Sequence, residues 1–89
     1  MSPFQGGSAP AMANQIVEGY TLVTAVQLKR LSDQELAQLQ FELEKAGREL
    51  RGEIIPLDDI PAIQARNRRL SRVTGALQQI QAGLARRRR

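Results

Sequence analysis

Arginine is the residue whose number and spacing in this 89-residue chain point most directly to a chemistry. Guanidinium groups bind phosphate oxygens through two parallel hydrogen bonds, and each phosphate that they neutralise releases counterions and adds affinity for nucleic acid of any sequence. On a helix, Arg68 and Arg72 lie one turn apart and Arg69 lies beside Arg72, so the three form one patch. The predicted contacts to RNA or a ribonucleoprotein are the eight arginines that follow residue 59: Arg66, Arg68, Arg69, Arg72, Arg86, Arg87, Arg88 and Arg89.

The charge distribution leaves a second interpretation of the same arginines open. Residues 32–58 contain seven acidic and three basic side chains, a net charge of −4, whereas residues 59–89 contain eight arginines and one aspartate, a net charge of +7. An acidic segment followed by a basic one can pair within the chain, with arginines meeting Glu42, Glu44 and Glu49, or between subunits. The alternative function is therefore a protein–protein interaction adaptor, in which two copies form a homo-oligomeric four-helix bundle.

Composition excludes several other chemistries. The chain has no cysteine and no histidine, so it lacks a disulfide framework and the usual ligands of zinc, haem and non-haem iron. The glutamates between residues 42 and 53 are expected on a solvated helix surface, without the pocket that acid–base catalysis needs. We therefore predict a non-enzymatic protein with no catalytic residue, cofactor, metal site or small-molecule substrate. No segment is long and apolar enough to span a membrane, and we expect a cytoplasmic location.

A helix is predicted over residues 33–52 because its start, its apolar face and its end are all encoded. Ser32 and Glu35 form a capping box, in which the serine oxygen accepts from a first-turn amide and the glutamate accepts from the serine amide. Gly52 is a typical residue to end such a helix. Steps of three and four residues place five apolar side chains on one face: Leu36, Leu39, Leu43, Ala46 and Leu50.

A second helix is predicted over residues 60–85. Its apolar positions repeat the same steps, with Arg66 at the one position that breaks the pattern: Ile63, Leu70, Val73, Leu77, Ile80 and Leu84. Two helices that share an apolar face across a short turn predict an all-α fold, an antiparallel two-helix hairpin. The hairpin domain is expected to span residues 16–85, with a frayed basic tail at residues 86–89.

The connection between the two helices combines breaking, capping and apolar residues. Pro56 interrupts helical structure, and Asp58 or Asp59 can cap the second helix. Its large apolar side chains are expected to plug the closed end of the hairpin: Ile54, Ile55 and Leu57.

The N-terminal third of the chain is harder to interpret. Residues 1–15 are rich in Pro, Gly, Ser and Ala, and are expected to form a disordered leader. Residues 19–23 have the composition of a strand, but Thr24 and Gln27 form a second capping box, which favours a short helical turn through Lys29. In that case five apolar side chains fold back over the open end of the hairpin: Tyr20, Leu22, Val23, Val26 and Leu28.

Two residues outside the apolar faces are candidates for contact with a partner. Phe41 lies off the shared face, where either Tyr20 and Val23 cover it, which is the favoured interpretation, or a partner protein does. Gly75 has no side chain and would allow another helix to approach closely. A two-helix hairpin buries only one side of each helix, so we expect a homo-oligomer or a larger protein partner.

Two blocks of the chain resemble the two-helix large-subunit ribosomal protein twenty-nine family. The segment Leu28–Leu36 is similar to the short turn and serine-capped acidic start of that family's first helix, and Arg68–Val73, continuing to Leu77, is similar to the paired-arginine segment of its second. The resemblance covers residues 28–80. It implies an αα-hairpin that binds large-subunit ribosomal RNA near the exit tunnel, with Arg68, Arg69 and Arg72 facing the RNA.

Overall fold

The computed structural model describes residues 4–87, and this part of the chain is all-helical. A 3₁₀ turn at Gln5–Gly7 precedes four α-helices: α1 (Ala9–Val17), α2 (Ala25–Lys29), α3 (Asp33–Gly52) and α4 (Ile60–Arg87). No strand occurs among residues 4–87. The predicted all-α class is therefore confirmed, and four helices are present where two and a short turn were expected. Arg88 and Arg89 lie outside the described residues.

The starts of the helices are fixed by the side chains that the sequence indicated. The Ser32 hydroxyl accepts from the amide of Glu35 at 3.1 Å, and the Glu35 carboxylate accepts from the Ser32 amide at 2.8 Å. Thr24 and Gln27 form the same reciprocal pair at the start of α2. Both capping boxes are confirmed, and with them the helical interpretation of the segment around Thr24. At α4 the cap is Asp59, whose carboxylate accepts from the amide of Ala62 at 3.2 Å.

The core lies between α3 and α4, which pack against each other more extensively than any other pair of helices. The apolar face of α3 is confirmed, because Leu36, Leu39 and Leu43 have no exposed surface. On α4 the fully buried positions are Val73 and Ile80. Leu70, Leu77 and Leu84 are partly buried and pack against this core, as the spacing of the second helix predicts.

Helix α1 is the main departure from the expected fold. The disordered leader was predicted over residues 1–15, yet residues 9–15 form most of α1, and residues 1–3 lie outside the described part. Ser8 caps the helix by accepting from the amide of Ala11 at 3.2 Å, and Pro10 lies in the first turn, where its missing N–H is not needed. The prediction was wrong because small residues obscured a regular spacing.

The spacing becomes clear once the buried side chains of α1 are compared. They recur at steps of three, four, seven and eight residues and pack against both α3 and α4. Burial of such a stripe removes apolar surface from water and offsets the entropy of ordering the segment. The buried side chains are Ala9, Met12, Ala13, Ile16 and Val17.

Two other expectations about apolar side chains were wrong. In the connection between α3 and α4, Ile54 is 99% exposed and Leu57 is 90% exposed, so neither plugs the end of the core. The backbone leaves α3 in an extended conformation at Glu53, and a turn then closes where Asp59 donates to the carbonyl of Pro56. This path carries the two side chains outward into solvent.

In the segment before α3, only part of the expected fold-back occurs. Leu28 is buried and Val23 packs against the core. Tyr20, Leu22 and Val26 remain exposed.

Candidate nucleic-acid interface

Helix α4 carries six arginines and no acidic residue. The predicted internal partners on α3 do not take up this charge, because Glu42, Glu44 and Glu49 form no ion pair within residues 4–87. In this part of the chain α4 forms two ion pairs, and both use carboxylates outside that set. Five of the six arginines divide into three groups by what each guanidinium contacts, and Arg66 belongs to none of them.

The first group, Arg69 and Arg72, faces the C-terminal end of α1. Arg69 Nε lies 3.0 Å from Glu18 Oε1, and Arg72 Nη1 donates to the carbonyl oxygen of Val17 at 3.0 Å. Val17 is the last residue of α1, and its carbonyl belongs to the last turn, whose oxygens have no partner within the helix. An arginine at this negative end of the helix dipole is favourable. These two predicted RNA contacts therefore hold α1 on α4.

Gly19 makes the approach of Arg72 to α1 possible. Its φ is +82°, in the left-handed region that favours glycine. A Cβ placed there would lie 2.8 Å from the Cζ of Arg72, which is closer than Cβ atoms in folded proteins approach other atoms. Glycine at this position thus serves both the backbone turn after α1 and the seating of the guanidinium.

The second group is Arg87, which joins the end of α4 to the two helices before it. Its Nη1 donates to Asp33 Oδ1 at 2.9 Å, and its Nη2 donates to the carbonyl oxygen of Leu28 at 3.0 Å. Asp33 begins α3, and Leu28 lies in the last turn of α2. The expected fraying is absent at Arg86 and Arg87, which belong to the last turn of α4.

Arg66 interrupts the apolar pattern of α4, and the structure leaves it partly buried. Its Nε is shielded from solvent and has no hydrogen-bond partner among the described residues. Desolvation of this atom opposes folding. The guanidinium group of Arg66 is therefore not wholly exposed on the surface of α4.

The third group, Arg68 and Arg86, is exposed and has no hydrogen bond or ion pair within residues 4–87. The two residues are 18 positions apart, which is about five full turns, so they lie on the same side of α4 roughly 27 Å from each other. Between them this side presents Gly75, Gln79 and Ala82, all exposed. We refer to these five residues as the Arg68–Arg86 face.

The structure leaves both candidate partner contacts exposed. Phe41 is 58% exposed and Tyr20 is 79% exposed, so the favoured prediction that the N-terminal segment covers Phe41 is wrong. At Gly75 a Cβ would meet no atom within 4 Å, so no described helix approaches it. Both positions are open surface.

Sequence reasoning missed the partners that orient the arginines, and it missed Lys29. Val17 and Glu18 belong to the end of a helix that was not predicted, so their role was not accessible. Lys29 was accessible, because the capping box at Thr24 already placed it in the last turn of α2. It lies beside Arg86 and Arg87 around a pocket at the end of α4.

Comparison with protein-family models finds no match, and comparison with curated proteins and with solved structures finds no significant match. Among residues 4–87, no helix combines the length and the apolar character that a bilayer crossing requires. The same part of the chain groups no set of acidic side chains that could hold a metal ion.

Proposed function

We propose that the protein is a non-enzymatic RNA-binding module in which α3 and α4 form an antiparallel hairpin and α4 presents its basic surface to phosphates. One observation carries the proposal: Arg68 and Arg86 share one open face of α4, and neither has a carboxylate partner in the described chain. The RNA or ribonucleoprotein partner would be bound in the cytoplasm.

The chemistry of the Arg68–Arg86 face suits a polyanion. The three residues between the arginines are glycine, glutamine and alanine, so no large side chain and no negative charge stands between them. A phosphate backbone can therefore approach the helix closely, and the summed positive charge of α4 attracts it over a longer range. Such contacts supply affinity without sequence specificity.

The ribosomal resemblance supports the same conclusion for Arg68 and modifies it for its neighbours. Within the similar segment, Arg68 remains open, whereas Arg69 and Arg72 are occupied by Glu18 and by the carbonyl of Val17. The proposed RNA contacts are thus Arg68 and Arg86 first, with Arg88 and Arg89 continuing from the end of α4. Arg69, Arg72 and Arg87 act chiefly in holding the helices together.

The test is a double variant, Arg68→Gln with Arg86→Gln, titrated with a fluorescein-labelled single-stranded RNA of about 20 nucleotides across a salt series. Loss of two phosphate contacts should lower the slope of log affinity against log salt by about 1.4. The melting temperature should stay unchanged, because neither side chain has a hydrogen bond or ion pair in the described part of the chain and glutamine is nearly as good a helix former as arginine.

A matched control removes the same charge from the acidic helix. Arg48 and Arg51 are exposed residues of α3, and the double variant Arg48→Gln with Arg51→Gln has the same net charge as the test variant. Its salt slope should equal that of the parent protein. If both double variants weaken RNA binding equally, or if the parent protein does not bind RNA, the proposal is wrong.

A second candidate function, the homo-oligomeric adaptor, is favoured by a different observation. Ile54, Leu57 and Ile60 are exposed in and beside the connection between α3 and α4, and Phe41 is exposed on α3 itself. Glu42, Glu44 and Glu49 of α3, which form no ion pair within residues 4–87, are complementary in charge to the Arg68–Arg86 face of another copy. Three of the large exposed apolar side chains lie close together along the chain, and exposed apolar patches are typical of interaction sites.

Mass measurement in solution separates the two candidates. The adaptor hypothesis expects a dimer at micromolar concentration that Leu57→Ser converts to monomer. A monomeric parent protein across that range would exclude it.

A further inference from the structure

The end of α4 closes a pocket that the proposed function does not use. It has a volume of about 220 Å³ and lies where α2, the start of α3 and the last turns of α4 meet. Its lining is largely apolar, with basic side chains at the edge: Ala25, Leu28, Lys29, Leu36, Gly83, Arg86 and Arg87. An apolar wall with a cationic edge fits a ligand that has an apolar part and an anionic part.

The edge of the pocket has one fixed and two free cations. Arg87 is held by Asp33 and by the carbonyl of Leu28. Lys29 and Arg86 are exposed and have no hydrogen bond or ion pair within residues 4–87. Because Arg87 ties α4 to α2, it positions Arg86 and Lys29 on the same opening.

The wall of the pocket is open at Gly83. A Cβ at this position would meet no atom within 4 Å, so the glycine leaves free volume beside the buried side chain of Leu28. An alanine would be the better helix former by about 1 kcal/mol. The helix therefore carries a less stable residue where a side chain would occupy the pocket.

We propose that this pocket binds one unpaired nucleotide of the RNA, with the base against Leu28 and Gly83 and its phosphate between Lys29 and Arg86. The inference rests on the proposed function, which it extends from contact with the backbone to capture of a single base. Proteins recognise unpaired bases by splaying them out of the strand and packing them on side chains. The apolar wall is what distinguishes this site from a simple phosphate site.

The test uses adenosine monophosphate and inorganic phosphate as separate probes, monitored by chemical shifts of the Leu28 and Leu36 methyl groups. Adenosine monophosphate should shift these methyls and bind about tenfold more tightly than phosphate, because only the nucleotide contacts the apolar wall. Lys29→Gln should weaken nucleotide binding about tenfold through loss of a charged contact. Equal binding of the two probes would overturn the inference.

Gly83→Leu provides the decisive variant, and Gly52→Leu, at an exposed position of α3 outside both proposed binding surfaces, is its control. Both glycines are helical residues with open space at the Cβ position, so neither substitution should lower the melting temperature. Only Gly83→Leu fills the pocket, and it should abolish the nucleotide-induced shifts, whereas Gly52→Leu should retain them. Retention of the shifts in Gly83→Leu would overturn the inference.

The outcomes distinguish this inference from the function on which it rests. If the RNA binds with the salt dependence that Arg68 and Arg86 supply, but adenosine monophosphate does not bind, the pocket assignment is wrong and the proposed function stands. If adenosine monophosphate binds and the RNA does not, the proposed function is wrong, and the assignment of an RNA nucleotide to the pocket is wrong with it.

Discussion

The two arginine pairs of α4, Arg68-Arg69 and Arg86-Arg87, have the same sequence and are placed five turns apart. In each pair the second arginine forms an ion pair with a carboxylate from another part of the chain, and the first is exposed and has no hydrogen bond or ion pair within residues 4–87. In each case an α4 arginine also donates to a carbonyl in the last turn of an earlier helix. Helix α4 therefore caps both α1 and α2.

The difference between the two pairs lies in what surrounds them. At Arg69 the ion pair is partly shielded from solvent, because the partner carboxylate of Glu18 is only 34% exposed. At Arg87 the partner Asp33 is 76% exposed. We infer that Arg69 contributes more to stability than Arg87 does, and that Arg68 and Arg86 are both free to contribute to binding.

The largest expected effect is a loss of stability in the apolar core that positions both arginine pairs. Leu43 is fully buried between the helices, so Leu43→Ala should lower the free energy of unfolding by about 2–5 kcal/mol. Leu77 is only partly buried, so Leu77→Ala should cost less. Urea unfolding monitored by circular dichroism measures both, with Glu44→Ala as a surface control. A smaller loss in Leu43→Ala than in Leu77→Ala would contradict the packing described.

The next effect separates Arg72, which holds α1, from the exposed Arg68 of the middle pair. Arg72→Met removes a charged hydrogen bond to the carbonyl of Val17 and should cost about 1.5–3 kcal/mol of unfolding free energy. Arg68→Met, one turn away, should change stability by less than about 0.5 kcal/mol, because the Arg68 side chain contacts no described residue through a hydrogen bond or ion pair. Equal losses in the two variants would show that Arg72 does not hold α1.

Gly19 tests the contact between Arg72 and the end of α1 from the side of α1. Gly19→Ala should cost about 1–2 kcal/mol, because its φ of +82° is unfavourable for alanine and the new methyl displaces Arg72. Gly52→Ala is the control, since Gly52 has no positive φ and open space at its Cβ position. Thermal unfolding of both variants gives the result. If Gly19→Ala unfolds at the same temperature as the parent protein, Gly19 does not have the role proposed for it.

The smallest effect belongs to the terminal pair. Asp33→Asn removes the exposed partner of Arg87 and should cost less than about 1 kcal/mol, because solvent screens such pairs. The same variant should alter nucleotide binding more than stability, since Arg87 positions the edge of the pocket. A loss of stability as large as that of Arg72→Met would show that the contacts at the end of α4 stabilise the fold as much as the contacts that hold α1.

The parts of this fold that the sequence predicts are those fixed by local chemistry. Ser32, Thr24 and Asp59 cap helices through amides three residues away, and the apolar steps of α3 follow from the geometry of one helix. Each of these features can be judged within a few positions of the chain. The bounds of α3 and α4 and the buried face of α3 follow from them.

The predictions that were wrong concern features that depend on long-range contacts, or they apply a general rule too broadly. The composition of residues 1–15 is typical of disorder, although Met12 and Ile16 are spaced one helical turn apart, as in an amphipathic helix. Ile54 and Leu57 were assigned to the core because they are large and apolar, although single apolar side chains at a surface are common. The direction of Arg72 requires a position for α1 that no local pattern supplies.

The hydrogen bond between Arg72 and Val17 also leads to an expectation about folding. It joins residues 55 positions apart, whereas α3 ends at Gly52 and α4 begins at Ile60. The entropy of closing a loop grows with its length, so we expect α3 to pair with α4 before α1 docks. We also expect the docking of α1 to be the first contact to open in the native state. Backbone amides of α1 should therefore exchange with deuterium before those at the centres of α3 and α4.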